Sequence, residues 1–390
     1  MTDVLRIVHA GDIHAGRPLS IELDKERGYV RRREIEMVLW RICEFAQGEK
    51  AQIILLSGDL FEHIYAKPSW VKDVSLLFAT IPEIQVFISP GNHDPVLSDS
   101  LYRSVQWPEN VTIFDSDTMK RISLEHLGVD VYGLGWLSFT ERRRLLQGFC
   151  IERSDRFNIV LIHGDLSEKS TYLPISVSDI EKSGADYLAL GHYHTPMVKD
   201  IGRTKVVYPG CPEPLDFGDK GERGVYFVTV AGLEGERPFN VRSEFVPMAL
   251  RMVREQELDL TGLDTGEKIR NAILSVGDHD IRRRDMWQLM LTGRVDPDLP
   301  LDLDVLEREM RDNFFHLRLV PKFVPDYDLG PLLDSDNQSL EGKFVQTLKD
   351  MEKQSIENGD EKTARVANLA IYYGLDALRQ GEIVTRRRMA

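Results

Sequence analysis

The chain has 390 residues, a hydrophobic fraction of 42% and a formal net charge of −14. That length asks for two or three domains with real cores, and that charge argues against a uniformly basic nucleic-acid coat, leaving room for a local basic groove or one neutralised by metal ions. Three scattered cysteines (Cys43, Cys150, Cys211) suggest neither a disulfide framework nor a thiolate zinc site, so a reducing cytoplasm is the expected setting.

The N-terminus runs directly into a strand-like segment without a signal-like apolar region, and no apolar run approaches the roughly 18 residues of a membrane span. Leu5 to Ala10 reads as a buried strand, and Tyr29 to Gln47 has helical spacing, with Ile35, Val38, Leu39, Ile42 and Phe45 able to share one face. Gln52 to Ser57 is a second buried strand, Pro68 opens a helix that runs to Phe78, and Glu83 to Ser89 is a third strand. Alternation of strand and helix favours parallel pairing. Val111 to Phe114, Val129 to Gly133, Asn158 to His163 and Tyr187 to Leu190 continue the strands, with helices expected at Ser138 to Gly148 and Ser176 to Ser183. Lys205 to Tyr208 and Gly224 to Val230, joined through the Pro209-Gly210-Cys211-Pro212 turn, look like antiparallel closing strands of a second sheet. The expected fold class is α/β, a sandwich of two sheets flanked by helices, over residues 1–244.

The pattern changes near Phe245. Residues 245–324 read as a small separate α/β domain, with helices at Glu267 to Val276 and Val305 to Asn313 and strands at Met286 to Gly293 and His316 to Phe323. Residues 325–338, rich in Asp, Pro and Gly, look like a linker. Residues 339–390 form a helical segment in which Ser339 to Asn358 and Glu361 to Gln380 are the two helices. Four Arg triplets, at 31–33, 142–144, 282–284 and 386–388, are either solvated helix faces or phosphate contacts.

Five of the apolar runs end in metal-ligand chemistry: Asp12 and His14, Asp59, Asn92-His93-Asp94, His163, and His192 with His194. In open sheets with parallel strands, ligands collect at the carboxyl ends of the strands. Asp12 and His14, like His192 and His194, stand two residues apart and can turn toward one ion. Oxygens and imidazoles gathered at strand ends would be a costly set of desolvated groups without a cation. A donor set without cysteine suits manganese or iron better than structural zinc.

In order and spacing, Asp12-x-His14, Gly58-Asp59, Gly91-Asn92-His93-Asp94, His163 and Gly191-His192-x-His194 resemble the five motifs of the calcineurin-like metallophosphoesterases. Gly58-Asp59-Leu60-Phe61 and Tyr208-Pro209-Gly210-Cys211-Pro212, followed by Leu215-Asp216-Phe217-Gly218, resemble the SbcD-type DNA repair exonucleases of that superfamily. Cys211 stands where that type has a serine, and Glu62 followed by His63 stands where a His or Asp is usual.

The resemblance implies two divalent ions, manganese first and iron second. Asp12, His14, Asp59 and His194 would hold one, and Asp59, Asn92, His163 and His192 the other, with Asp59 shared. His93 would protonate the departing sugar oxygen or stabilise phosphate charge, and Asp94 would orient its ring. Residues 245–324 match the capping domain of such exonucleases in position. By the same resemblance the chain would be the DNA exonuclease subunit of an SbcCD-like repair complex, a homodimer beside an SbcC-like coiled-coil ATPase contacted through Ser339 to Gln380. The chain itself has no Walker loop. A phosphodiesterase or phosphatase for a small substrate, and a non-catalytic scaffold of the same fold, are the alternatives; the full donor set argues against the scaffold.

Overall fold

The computed structural model describes residues 4–19, 23–152, 155–233, 239–334 and 336–381. They fall into two compact units, Met1–Val253 and Arg254–Ala390.

The first unit is a two-sheet sandwich. One sheet has the order β12-β11-β1-β2-β3-β4, with β1 Val4–Ala10, β2 Ile53–Leu56, β3 Gln85–Ile88, β4 Val111–Ile113, β11 Gly224–Ala231 and β12 Asn240–Pro247. β1 to β4 run parallel, and β11 and β12 close the edge antiparallel. The other has the order β5-β6-β7-β8-β10-β9, with β5 Lys120–Leu124, β6 Val129–Gly133, β7 Phe157–His163, β8 Tyr187–Gly191, β9 Met197–Ile201 and β10 Thr204–Tyr208. Here β6, β7, β8 and β10 are parallel, and the edges β5 and β9 are antiparallel.

The two-residue period of a strand explains the layering. Leu5, Ile7, Ile53, Leu55, Ile159, Leu161 and Ala189 point into the core between the sheets. Their neighbours Val8, Ala10, Ile54 and Leu56 point outward against α1 (Lys25–Gly48) and α2 (Pro68–Ala79). On the second sheet Val160, Ile162, Leu188 and Leu190 cover an outer core with Ile180 of α3 (Val177–Ser183). Each such side chain contributes about 1.5–3 kcal/mol on burial, which is why these runs read as continuous apolar stretches.

Three expectations change. Ser138 to Gly148 forms turns rather than a helix. The Glu141 backbone is committed elsewhere, its N–H donating to Thr171 and its carbonyl accepting from Leu173, so the segment lies along residues 171–173 instead of closing its own helical ladder. Lys205 to Tyr208 pairs parallel with β8, and Gly224 to Val230 joins the first sheet beside β1. The Pro325 to Asn337 stretch is also more than a linker: Tyr327 and Leu332 are buried among Val345, Ile371, Tyr372 and Leu375.

The second unit holds a three-stranded sheet, β13-β14-β16 (Val253–Asp259, Met286–Thr292, His316–Pro321), with α4 Gly266–Leu274, α5 His279–Arg284 and α6 Leu303–Glu309. β15 Arg294–Val295 pairs with β17 Val324–Pro325, and α7 Gly330–Leu333 leads into the paired helices α8 Leu340–Glu357 and α9 Glu361–Gln380.

Among the buried polar groups of the first unit, His9 has its Nδ1 2.9 Å from the Tyr187 hydroxyl and its Nε2 3.2 Å from the Ser57 hydroxyl. Burial pushes its pKa from 6.5 down to about 3. The unfolded chain therefore takes up a proton below about pH 6.5 that the folded chain refuses, and this residue erodes stability as pH falls from there toward 3. In metal-free protein, melting temperatures between pH 7.5 and 4.5 are expected to fall less steeply for His9→Gln than for wild type. Parallel slopes would contradict this assignment.

Candidate metal centre

The loops leaving β1, β2, β3, β7 and β8 meet at one end of the sandwich, and their backbones are bent to do so. Asp12 (φ 52), His14 (φ 53), Asp59 (φ 52) and His192 (φ 109) all lie in the left-handed region, which non-glycine residues enter at a cost of order 1–3 kcal/mol each. Surrounding bonds enforce this. Asp12 N–H donates to Gly58 O (3.0 Å) and His14 N–H to Asp59 O (2.8 Å). The Asp12 carboxylate accepts from His192 N–H at 3.0 Å, and Asp59 Oδ1 from His93 N–H at 2.9 Å. Ile13, between Asp12 and His14, faces the apolar core.

Six of the seven expected donors converge. His14 Nε2 lies 3.2 Å from His194 Nε2 and 3.6 Å from Asp59 Oδ2. His163 Nε2 lies 3.4 Å from Asp59 Oδ2 and 3.0 Å from Asn92 Oδ1. Of four groups among the described residues whose donor atoms lie within 4.8 Å of one another, two consist of expected donors alone, Asp12 with His14 and His194, and Asp12 with Asp59 and His163. His192 stands outside both sets, its ring 5.3 Å from that of His163 and 4.9 Å from that of Tyr172.

Acceptors behind the imidazoles decide which nitrogen faces the centre. His163 Nδ1 is 2.9 Å from Ser57 O, His14 Nδ1 is 2.9 Å from Glu62 Oε1, and His194 Nδ1 is 3.5 Å from Asp219 Oδ1. With Nδ1–H so engaged, each Nε2 keeps its lone pair toward the other donors, the arrangement metal-binding histidines adopt. Glycines make the room. A Cβ on Gly91 would sit 2.3 Å from Asp59 Oδ1, and one on Gly58 would sit 2.6 Å from His163 Nδ1.

Charge completes the case for a cation. Burial lifts the Asp12 carboxyl to about 6, and burial together with the nearby Asp94 and Asp12 carboxylates lifts Asp59 well above the usual range. Burial pushes His14 down to about 3 and His163 well below 6.5. Carboxylates that resist ionisation beside imidazoles that resist protonation form a site short of positive charge, and an oxygen and nitrogen donor set fits a divalent ion.

Two side chains carry roles the sequence left open or assigned elsewhere. Asp94 does not orient His93. It accepts from Gly91 N–H (2.6 Å), Leu60 N–H (2.7 Å), Asp59 N–H (3.1 Å) and the Tyr102 hydroxyl (2.7 Å), tying two donor loops together. Glu62 takes the orienting place, with Oε2 2.8 Å from His93 Nδ1 and Oε1 on His14. Burial opposes ionisation of Glu62, but those two imidazoles hold its pKa down to about 2. Its position in the loop three residues after Asp59 was the available signal. Asp219, the acid behind His194, had no comparable one.

The Arg triplets supply framework contacts. Arg31 is buried against Glu213 and the Pro214 carbonyl, Arg144 pairs with Asp179, and Arg282 donates to the Gly277 carbonyl. The triplet at 386–388 lies outside the described residues.

Residues 5–196 match the family of calcineurin-like phosphoesterases. Over 240 residues, 59% of this chain and 58% of the relative, the sequence is 30% identical to the uncharacterized metallophosphoesterase YhaO of Bacillus subtilis (strain 168). Over 236 residues, 54% of each chain, it is 27% identical to the DNA double-strand break repair protein Mre11 of Aeropyrum pernix. The chain thus spans little more than half the length of these curated relatives. Among solved structures, TT1561 of Thermus thermophilus aligns with a TM-score of 0.38 at 15% identity, over 61% of this chain and 98% of that one.

Gly91→Ala is expected to weaken Mn²⁺ binding at least about tenfold by calorimetry, because the new methyl meets the Asp59 carboxylate and the His163 ring. Gly48→Ala, where nothing lies within 4 Å of the added Cβ, should bind as wild type does. Equal affinity in both variants would refute the packing argument.

Proposed function

We propose that this chain, whose residues 5–196 match the calcineurin-like phosphoesterase family, is a metal-dependent nuclease that hydrolyses DNA phosphodiester bonds. The observation that carries the reading is a pair of donor sets that share Asp12, with Asp59 Oδ2 3.6 Å from His14 Nε2 and 3.4 Å from His163 Nε2, and with His93 on a half-buried edge near them. Asp12, His14, Asp59 and His194 would hold one divalent ion, and Asp59, Asn92, His163 and His192 the second, for which His192 must turn inward from its place beside Tyr172. Manganese fits the mixed donors, with iron next. When bound, such a pair activates water and neutralises charge on the phosphate.

The chain's own residues supply the rest. His93 Nδ1 is held on Glu62, so its Nε2 edge is the one presented to a substrate, where it can give a proton to the departing sugar oxygen. The His93 ring centroid lies 4.7 Å from that of His14, which keeps acid and metal donors in fixed relation. Asp94 holds the backbone of the Asp59 and Gly91 loops together and touches no reacting atom.

DNA is favoured over a small phosphoester by the 27% identity with a relative named for DNA double-strand break repair and by the SbcD-like Tyr208 to Gly218 segment. An exonuclease subunit that dimerises and docks an SbcC-like coiled-coil ATPase through α8 and α9 extends the same reading. Leu340, Met351, Ile356, Val366 and Leu378 on those helices are exposed apolar residues available to such a partner. Loss of co-purification in an Ile356→Lys, Val366→Lys chain would support that docking, and retention would refute it.

With Mn²⁺ and linear duplex DNA, release of nucleotides is expected from wild type. His93→Ala should lower kcat by about 10²–10⁴ while leaving Mn²⁺ binding intact, and Asp59→Ala should abolish both. Hydrolysis of bis-p-nitrophenyl phosphate without cleavage of any nucleic acid would replace the nuclease by a small-substrate phosphodiesterase.

A further inference from the structure

The loop that brings Asp59 and Glu62 to the centre continues into His63, Ile64 and Tyr65, which are not among the metal donors. Its course is fixed: His63 N–H donates to His93 O at 2.9 Å, and Tyr65 N–H to Glu62 O at 3.1 Å. Yet Ile64 is 76% exposed and Tyr65 57% exposed. The loop after β6 approaches the same place. Trp136 N–H donates to Pro90 O at 3.2 Å, at the turn that carries Asn92 and His93, and beyond it Leu137 and Phe139 are 43% and 46% exposed. The Phe139 ring lies edge-on to His63, centroids 5.8 Å apart. Two loops anchored on the Pro90 to His93 turn thus hold up large apolar side chains beside the acid.

We propose that this rim, Phe139 on one loop with Ile64 and Tyr65 next to His63 on the other, is a stacking surface for the nucleobase on the departing side of the scissile phosphodiester. The inference rests on the nuclease reading and on His93 marking the side from which the sugar leaves. The remaining argument is physical. A chain of net charge −14 has no general electrostatic attraction for a phosphate backbone, so contacts other than charge would add to the hold of the metal site on the strand. Those donors are buried at the strand ends, and a phosphodiester reaches them most readily when the adjoining base leaves its stack. An unstacked base needs an apolar or aromatic face, which every base can use and which discriminates little between sequences. Exposed apolar side chains grouped at such a place are the expected form of that surface.

The test compares an oligothymidylate with the same strand carrying an abasic residue on the departing side, each assayed with Mn²⁺ for kcat/KM. Wild type is expected to prefer the base-bearing strand about tenfold. That ratio should fall toward one in Phe139→Ala, fall in part in Tyr65→Ala, and stay near the wild-type value in Phe139→Tyr. A ratio that is unchanged in Phe139→Ala, or close to one in wild type, overturns the proposal while leaving the nuclease reading in place; the second result would assign the rim to a protein partner. If wild type cuts neither of these strands nor linear duplex DNA, yet hydrolyses bis-p-nitrophenyl phosphate, the nuclease reading fails and this inference with it.

Discussion

Burying carboxylates and imidazoles together without a compensating positive charge is the constraint on which this structure turns. Asp12, His14, Asp59 and His163 are almost wholly removed from solvent; burial raises the two carboxyls, a shift that a nearby cation would reverse, and holds the two imidazoles neutral, the state in which they can ligate one. Such a cluster opposes folding unless the surrounding framework outweighs it. Here the framework is the sandwich itself, whose alternating apolar strands bury both faces of each sheet and leave the donors at the strand ends. Positive φ at Asp12, His14, Asp59 and His192 is the local expression of the same trade: backbone strain is tolerated where the chain must turn donor atoms inward.

Second contacts then turn a cluster into a site. Ser57 O, Glu62 and Asp219 each take the Nδ1 side of an imidazole, so three histidines present the same nitrogen. Asp94 does for the backbone what those acceptors do for the rings. With four donors converging on its carboxylate, it fixes the Gly91 turn against the Asp59 loop. Glu62 reaches the Nδ1 of both His14 and His93, and its low pKa keeps it an acceptor for both across the neutral range.

What the sequence made legible follows from locality. β1, β2, β3, β7 and β8 announce themselves as apolar runs because both their faces are buried, and the polar residues after each run mark where the chain leaves the sheet. Edge strands β5 and β9 carry no continuous apolar run because three of the five side chains in each are exposed, as in Lys120 to Leu124. Gly224 to Val230 was visible as a strand but not assignable, since its partner β1 lies more than two hundred residues away in sequence and nothing local encodes the pairing. Ser138 to Gly148 carries helical spacing, yet the Glu141 backbone gains its hydrogen bonds from a distant segment. The orienting role of Glu62 has the same origin: Asp94 adjoins His93 in the motif while Glu62 lies 31 residues away, and only the folded loops decide which carboxylate reaches the ring.

In the proposed site one buried donor cluster holds two divalent ions through the shared Asp59 carboxylate. Equilibrium dialysis of the metal-free chain against Mn²⁺, with the bound metal counted, tests this most directly. Two ions per chain are expected in wild type, and loss of at least one in Asp59→Asn with the remaining affinity reduced. Binding of a single ion by wild type, or two ions held as tightly by Asp59→Asn, would contradict it.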